Sequence, residues 1–465
     1  ASSYKKTSKG SDHWLAQELA ALPAVLLQSV ANAIDQSVCS LLWPLQLLMC
    51  LHPELGKASG GQRTICKSPT LYRLWVRTRR KVMQAWGDQH KAAYDHACKG
   101  YSALASSAHS CMWADIKHKC GQINCTHMTD FEKFFDTIEP EPLFNALRAL
   151  SYPPIDMVLA MQMHLAIRVI QVQNITSLPI VVHRSILAGC FHSMPFVKAL
   201  LYKGSHAVIR RNPECIVGEY VDDCKLANAS EDPQSVEDTI INSSIDFKTF
   251  VVDANKLVLA PKCTVVANNK RMALRIQAQL ADHGIICQVK PIHRDLGGNF
   301  AAGVIRTPGL IKQRFHKSNL RNANVVRLAK SCRMARRLYT GGTFPQGTWG
   351  HQSVALTQSD ITAIRRQSAN STGLAPSRCL TAANAFCFGR RKDPWLKIIA
   401  EVFKLWFQLS PFFAQQLPHE LHIAWSRTRL AIFNTGNILV SAAHSLLGNV
   451  IYILLYVGWT PTRFD

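Results

Sequence analysis

The chain has 465 residues, with 53 Lys and Arg against 30 Asp and Glu, a formal net charge of +23 and 48% hydrophobic content. That apolar content excludes an intrinsically disordered protein and suffices for two or three packed units, while the positive excess points to a polyanion, either nucleic acid or an anionic membrane surface. The 15 cysteines are odd in number and scattered singly without a CxxC pair, which excludes a secreted disulfide framework and favours reduced thiols in an intracellular protein.

In chain order, residues 1–12 form a polar, Lys/Ser-rich tail, and with neither an initiator Met nor a signal-peptide pattern the chain reads as a piece of a longer product. From His13 to about Leu51 an Ala/Leu-rich stretch is broken by Pro23 and Pro44, which predicts two or three short helices. Lys57-Ala-Ser-Gly-Gly-Gln-Arg-Thr-Ile65 predicts a hairpin bending at Gly60-Gly61, with Lys57 and Arg63 close together on its arms. Two such cations suit a triphosphate, although a solvated turn has the same composition. A helix follows, with Leu71, Leu74, Trp75 and Thr78 on one face and Arg73, Arg77 and Arg80 on another. The Arg stripe fits a nucleic-acid backbone or an ordinary solvated face. Cys111, His118, Cys120, Cys125 and His127 match no common zinc spacing.

In Met128–Ile138, Asp130 opens and Asp136 closes an apolar segment that holds Phe131, Phe134 and Phe135 and reads as a strand running into a helix. Apolar residues at helical spacing between Glu141 and Ile170 predict helices after Pro142 and Pro154. Asn174–Val182 reads as a strand, and Arg184–Pro195 as the entry to another helix. In Cys215–Ala227 two strand-like runs flank Asp222-Asp223, which predicts a hairpin with its acids at the tip. Adjacent carboxylates in so basic a chain fit a divalent cation, or simply an acidic turn. Leu257–Val266 reads as a further strand.

No acid occurs between Leu296 and Ser359, and ten Lys or Arg lie between Arg306 and Arg337. Val325, Leu328, Cys332 and Ala335 recur at helical spacing beneath several of them, which predicts a basic amphipathic helix for a nucleic-acid backbone, a membrane surface or a nuclear-localisation role. Ile438–Trp459 is long and apolar enough to raise a membrane span. Asn437, Ser441, His444, Ser445, Gly448, Asn449 and Tyr452 form a polar stripe along it, however, so a packed helix is expected and membrane contact is not.

Met128–Ile138 resembles motif A of the reverse transcriptases, and Tyr220-Val221-Asp222-Asp223 resembles their motif C. Lys57–Ile65 resembles the fingers hairpin of the non-LTR retrotransposon and group II intron-like enzymes, with Thr64 where a proline recurs. Gly189 with Ser193-Met194-Pro195 sits where motif B belongs, with Ala188 in place of the usual glutamine. Lys262 falls at the motif D lysine, with Lys256 competing, and Asp295-Leu296-Gly297 resembles the primer-grip hairpin.

The resemblance implies an α+β right-hand polymerase: an N-terminal helical segment (1–50), fingers (51–120), an antiparallel-sheet palm with inserted fingers helices (121–304), and a basic helical thumb and C-terminal region (305–465). The implied activity is RNA-directed DNA synthesis for a retroelement, from deoxynucleoside triphosphates on an RNA template and a DNA primer, with two Mg²⁺ ions or Mn²⁺ in their place. Asp130 and Asp222 are implied as catalytic metal ligands with Asp223 beside them. Lys57, Arg63, Phe135, Gly189 and Lys262 are implied at the nucleotide, where Lys262 would protonate pyrophosphate and Phe135 would exclude the 2′-hydroxyl. Arg73, Arg77, Arg327, Lys330, Arg333 and Arg337 are the expected nucleic-acid contacts, and a nuclear location is expected. Ala188 and Thr64 favour the alternative, a catalytically decayed retroelement protein that only binds nucleic acid. Val-Asp-Asp in place of Gly-Asp-Asp, together with Phe135, disfavours an RNA-directed RNA polymerase. No endonuclease or ribonuclease H motif is visible, so those activities are expected elsewhere, and the sequence sets no oligomeric state.

Overall fold

The computed structural model describes residues 9–56, 62–373, 380–434 and 436–464. They form a mixed α/β protein with a helical majority and small mixed sheets. The strands used below are β1 (Met49–Gly56), β2 (Gln62–Thr64), β3 (Ile123–Thr129), β4 (Ile167–Val172), β5 (Ile175–Thr176), β6 (Ile216–Tyr220), β7 (Asp223–Ser230), β8 (Cys263–Ala267), β9 (Cys287–Val289), β10 (His293–Asp295) and β11 (Gly298–Phe300).

The architecture turns on β3, which is buried on both faces although it carries Asn124, Thr126 and His127. Burial of that kind requires partners for the polar groups. The Asn124 amide donates to the backbone carbonyls of Ala114 and Ala302, and His127 Nδ1 lies 2.8 Å from Ser244 Oγ. β3 is the middle strand of a five-stranded sheet ordered β6-β7-β3-β8-β9, with His127 opposite Leu226 of β7 and Val265 of β8. Cys125 and Val265 pack on one face against helices Pro233–Phe247 and Lys270–Asp282. Met128, Ala227 and Val266 pack on the other against helix Ala103–Lys119 and the C-terminal helices Pro394–Gln416, Pro418–Ile432 and Leu446–Tyr456. A second sheet, ordered β2-β1-β4-β5, borders an aromatic core in which Trp43 meets Tyr72 at 5.8 Å and Trp75 at 5.3 Å.

Several expectations are corrected. The five-stranded sheet is not wholly antiparallel: β8 and β9 run parallel because helix Lys270–Asp282 carries the chain back across the sheet. The helical spacing stops short of Ile170, since Ile167–Val172 is a strand paired in parallel with β1. Within 174–182 only Ile175–Thr176 is a strand, joined by an isolated bridge at Ile180. Pro261, which has no N–H to donate, shortens the strand expected over 257–266 to Cys263–Ala267.

Helix Thr70–Thr78 buries Tyr72, Trp75 and Val76, while Thr78 is exposed and Arg80 belongs to the next helix. The break falls at Arg79, whose guanidinium holds the fully buried Asp156 carboxylate at 2.8–3.2 Å. The basic helix spans Gly309–Ser331 and buries Ile311, Ser318, Asn322, Val325 and Ala329. The helix ends before Cys332, and Arg333–Arg336 form a 3-10 turn in which Ala335 is buried. Within the helix Leu328 is exposed and part of the seam is built on polar pairs: Asn322 donates to the Gln367 carbonyl at 3.1 Å and Gln367 to Ser318 at 3.0 Å. Over 438–459 only Leu446–Tyr456 is α-helical, preceded by a 3-10 turn. Its polar residues point into the protein, with Asn449 donating to the His351 and Gln352 carbonyls at 2.9 and 3.0 Å. Among the described residues no helix is long and apolar enough to cross a membrane.

Candidate active site

Asp130 is set by the end of β3 and by the segment leading into β8. Its carbonyl accepts the Ala260 N–H at 2.7 Å and its own N–H faces Cys263 Sγ at 3.3 Å. Both strand ends are thereby tied, and Lys262, lying between those two anchors, reaches Asp130 Oδ2 with its ammonium at 2.5 Å. The hydrogen bond and charge of Asp130, followed by the charges of Asp223 and Asp222, hold the Lys262 ammonium above its usual pKa.

The second acidic element is the hairpin β6–β7. Tyr220 pairs with Asp223, so the connection is the two-residue turn Val221-Asp222. Val221 adopts φ +62, a left-handed conformation that favours glycine and is strained for a β-branched side chain. Strain of about 1–3 kcal/mol persists only where the surroundings impose it. Here the ladder imposes it on one side and contact of Val221 with the aromatic core on the other.

Alternation along the strands then sorts the side chains. Tyr220, Asp223 and Lys225 lie on one face, and Glu219 with its partner Cys224 on the opposite one. Asp223 and Lys225 line a cleft of about 450 Å³ together with Asp130, Lys262, Arg294 and Asp295. Asp223 is open to solvent at the mouth of this cleft, yet its carboxyl is pushed up to about 7. Partial burial contributes most, then the charges of Asp222, Asp295 and Asp130, against the pull of Lys225.

Asp130 and Asp223 therefore share one cleft, and Asp222 sits in the adjoining turn near enough for its charge to act on Asp223 and Lys262, but among the described residues no three His, Cys, Asp or Glu side chains are gathered closely enough to hold a metal ion together. The Lys262 ammonium compensates Asp130 instead. The donor chemistry still fits a hard divalent cation: all three groups offer oxygen, and the repulsion that raises Asp223 is what a cation would relieve.

The opposite face of the hairpin borders a larger cavity of about 740 Å³, in which Phe135, Gly189 and Val221 meet Trp86, Tyr202 and Lys198. Phe134 is buried, 4.9 Å from Phe131, whereas the half-buried Phe135 stands edge-on to Phe134 at 5.6 Å. The Phe135 carbonyl accepts the Ile186 N–H at 2.8 Å and Ser185 Oγ at 2.9 Å, which seats the segment before Gly189 on this turn. Gly189 has φ +95, which a side chain would strain, and Ala188 beside it is exposed.

The remaining expected contacts are dispersed. Lys57 lies outside the described residues, and Arg63 is placed only by its backbone pairing with Leu55 in the β1–β2 hairpin. Arg73 is half-buried and donates to Thr70 Oγ1 at 2.7 Å, while Arg77 is exposed on the same helix. Arg327, Lys330, Arg333 and Arg337 are all exposed, Arg327 donating to Asn324 Oδ1 at 2.7 Å. Lys256 pairs with the exposed Glu141 at 3.6 Å, so it does not compete with Lys262.

Sequence reasoning passed over Glu219, Lys225 and the carboxylate of Asp295. Glu219 is buried and accepts the Ser205 hydroxyl, and its carboxyl is pushed up to about 8, chiefly by burial. Lys225 and Asp295 form a buried ion pair at 2.7 Å. Lys225 was detectable in principle, because an ammonium two residues beyond Asp223 must share its face.

No protein-family model matches this chain, and no curated protein matches it by sequence. Among solved structures it is similar to telomerase from Candida albicans in complex with the TWJ fragment of telomeric RNA. That similarity has a TM-score of 0.41 and 11% sequence identity, covering 92% of this chain and 71% of the other. At this distance no residue role carries from one chain to the other.

Proposed function

We propose that this chain is an RNA-directed DNA polymerase of reverse-transcriptase type, acting for a retroelement. The observation that carries the reading is that Asp130 at the end of β3 and Asp223 on the neighbouring hairpin line one cleft that also receives Lys262, with Asp222 in the turn beside Asp223. In this reading the five-stranded sheet is the palm, the β1–β2 hairpin and the helices after it are the fingers, and the basic helix Gly309–Ser331 begins the thumb.

Asp130, Asp222 and Asp223 would hold two Mg²⁺ ions, which when bound lower the pKa of a primer 3′-hydroxyl and neutralise the triphosphate. The hydroxyl oxygen forms a bond to the α-phosphorus as the bond from that phosphorus to pyrophosphate breaks. Lys262, kept protonated beside Asp130, is placed to give a proton to the leaving pyrophosphate. It must leave Asp130 to do so, and an ion bound at Asp130 would compete for the same oxygen. Phe135 lines the cavity while Phe134 is held in the core, and in this reading it would pack against the sugar where a 2′-hydroxyl would sit. Arg327, Lys330, Arg333 and Arg337 would neutralise phosphates of the primer–template duplex without reading bases.

Primer extension by the purified chain on an RNA template with deoxynucleotides, in Mg²⁺ and then Mn²⁺, tests the proposal. Template-dependent extension is expected; none with either ion overturns it. A second reading, a nucleic-acid binder that has lost turnover, is favoured by Ala188 and by the Lys262 ammonium seated on Asp130. Its signature is tight primer–template binding by a sample that does not extend.

A further inference from the structure

We infer that Lys225 and Asp295 form a latch that seats hairpin β10–β11 on the carboxylate hairpin and so sets the width of the cleft between them. The role rests on the polymerase reading only for its catalytic consequence, because the latch itself is a matter of packing. With three residues in each strand, β10–β11 is too short to be stable alone. It must be anchored from outside.

Three anchors are present. The Lys225 ammonium, on β7 two residues beyond Asp223, lies 2.7 Å from Asp295 Oδ2 and 3.1 Å from Ser110 Oγ of helix Ala103–Lys119, with both charged side chains buried. Gly298 packs so closely on Ser107 of that helix that a Cβ would collide with its hydroxyl, and Cys111 Sγ faces the Asn299 carbonyl at 3.3 Å. The two helix contacts fix the hairpin to the helix, Phe300 of β11 is buried in the core cluster that includes Ala227 of β7, and the ion pair reaches across to the face of β7 that carries Asp223.

Direct geometry supports the consequence. Asp295 ends β10 immediately before the turn Leu296-Gly297, where φ is +46 and +86, so its position sets the path of the turn. Arg294, its neighbour, lines the same cleft as Asp130 and Asp223. Moving Asp295 therefore moves the cleft wall facing the carboxylates. His96, near both groups, is pushed down to about 4 by burial and then by the Lys225 charge, so it does not replace Lys225 as the cation facing Asp295. Lys225 and Asp295 are thus positioning residues, setting the cleft wall opposite Asp130 and Asp223.

Hydrogen exchange on the full chain, read by mass spectrometry, tests the latch. In Lys225→Met and in Asp295→Asn the amides of 293–300 are expected to exchange about a hundredfold faster or more, since each variant leaves one buried charge without its partner. Amides of β3 should keep their protection. The double variant Lys225→Met/Asp295→Leu replaces the pair by apolar groups and is expected to regain most of the protection lost in either single variant. Unchanged exchange in the single variants overturns the latch, and so does a double variant whose loss equals the sum of the two. Primer extension on the same samples separates the two proposals. A kcat roughly tenfold lower in the single variants, with little change in the KM for nucleotide, is the expected result. Wild-type kcat with a loosened hairpin overturns the positioning role, whereas wild type that does not extend, with a loosened hairpin in the variants, counts against the polymerase reading and leaves the latch standing.

Discussion

Glu219 and Asp223 lie on one hairpin, four residues apart, and both carboxyls hold their proton to a higher pH than usual, about 8 and about 7. The causes differ. Glu219 is raised chiefly by burial and to a lesser degree by the one charge of Asp95, with the Ser205 hydroxyl and Lys198 opposing it. Asp223 is raised by partial burial together with three neighbouring carboxylates. Whatever cation enters the cleft will relieve Asp223 and leave Glu219 as it is. A perturbed carboxyl is therefore not in itself a functional sign, and the source of the perturbation tells the two apart. Burial leads in both, but Asp223 is crowded by three carboxylates and Glu219 by one, so a cation would relieve Asp223 the more.

The largest effect that could break this distinction is at Asp222. Asp222→Asn keeps the shape of the turn and removes one of the crowding charges, and extension should fall roughly a thousandfold or more with primer–template binding nearly intact. Wild-type turnover in that variant would remove the cleft from consideration as a catalytic site.

A second test sets both faces of the hairpin against a region belonging to neither. Changing Arg327, Lys330, Arg333 and Arg337 together to Gln should flatten the dependence of log affinity on log salt by roughly three units, if each neutralises a phosphate. An unchanged slope in a binding titration would assign the basic segment 327–337 another partner.

The cavity face is tested by its two phenylalanines. Phe135→Ala should admit ribonucleotides about a hundredfold better while deoxynucleotide use falls modestly. Phe134→Ala should instead lower stability by about 3–5 kcal/mol, because its ring lies in the core. Loss of stability without ribonucleotide use in Phe135→Ala would make both rings core.

The smallest effect sharpens the contrast at Glu219. Its pKa is higher in the folded than in the unfolded chain, so between about pH 4.5 and pH 8 the folded state holds the extra proton. Stability contributed by this group therefore falls as pH rises through that window, by about 1.4 kcal/mol per pH unit at most. Glu219→Gln cannot ionise, and thermal melting should show it gaining on wild type as pH rises from 5 to 8. A pH-independent difference would mean that Glu219 ionises freely in the fold.

Reading the sequence found the Asp222-Asp223 tip because a two-residue turn is a local event, specified by the residues on either side. Motif order singled out Asp130, which the fold brings beside Asp223, and the offset from Asp130 singled out Phe135, which lines the cavity on the other face. It missed the Lys225–Asp295 pair because the partners lie on β7 and β10 and meet only once helix Ala103–Lys119 is in place. The basic helix was expected in the right region, with Val325 and Ala335 buried as expected and Leu328 and Cys332 not, since Ser318 and Asn322 form much of its seam by hydrogen bonding and hydropathy counts them as surface. The parallel pairing of β8 with β9 was likewise invisible, for strand direction depends on the crossover and not on the three residues of β9.

The place of β3 in the middle of its sheet also governs how the protein can be made. Its two neighbours, β7 and β8, come much later in the chain, so during synthesis β3 emerges with both edges unpaired. Pairing across such separations is slow to form and exposes strand edges to neighbouring chains. Asp130 cannot take up its position until Ala260 and Cys263 have left the ribosome to hold it. Nascent chains halted before β8 should therefore depend on a chaperone and aggregate without one, and chains that reach beyond Ala267 should become resistant to protease across β3.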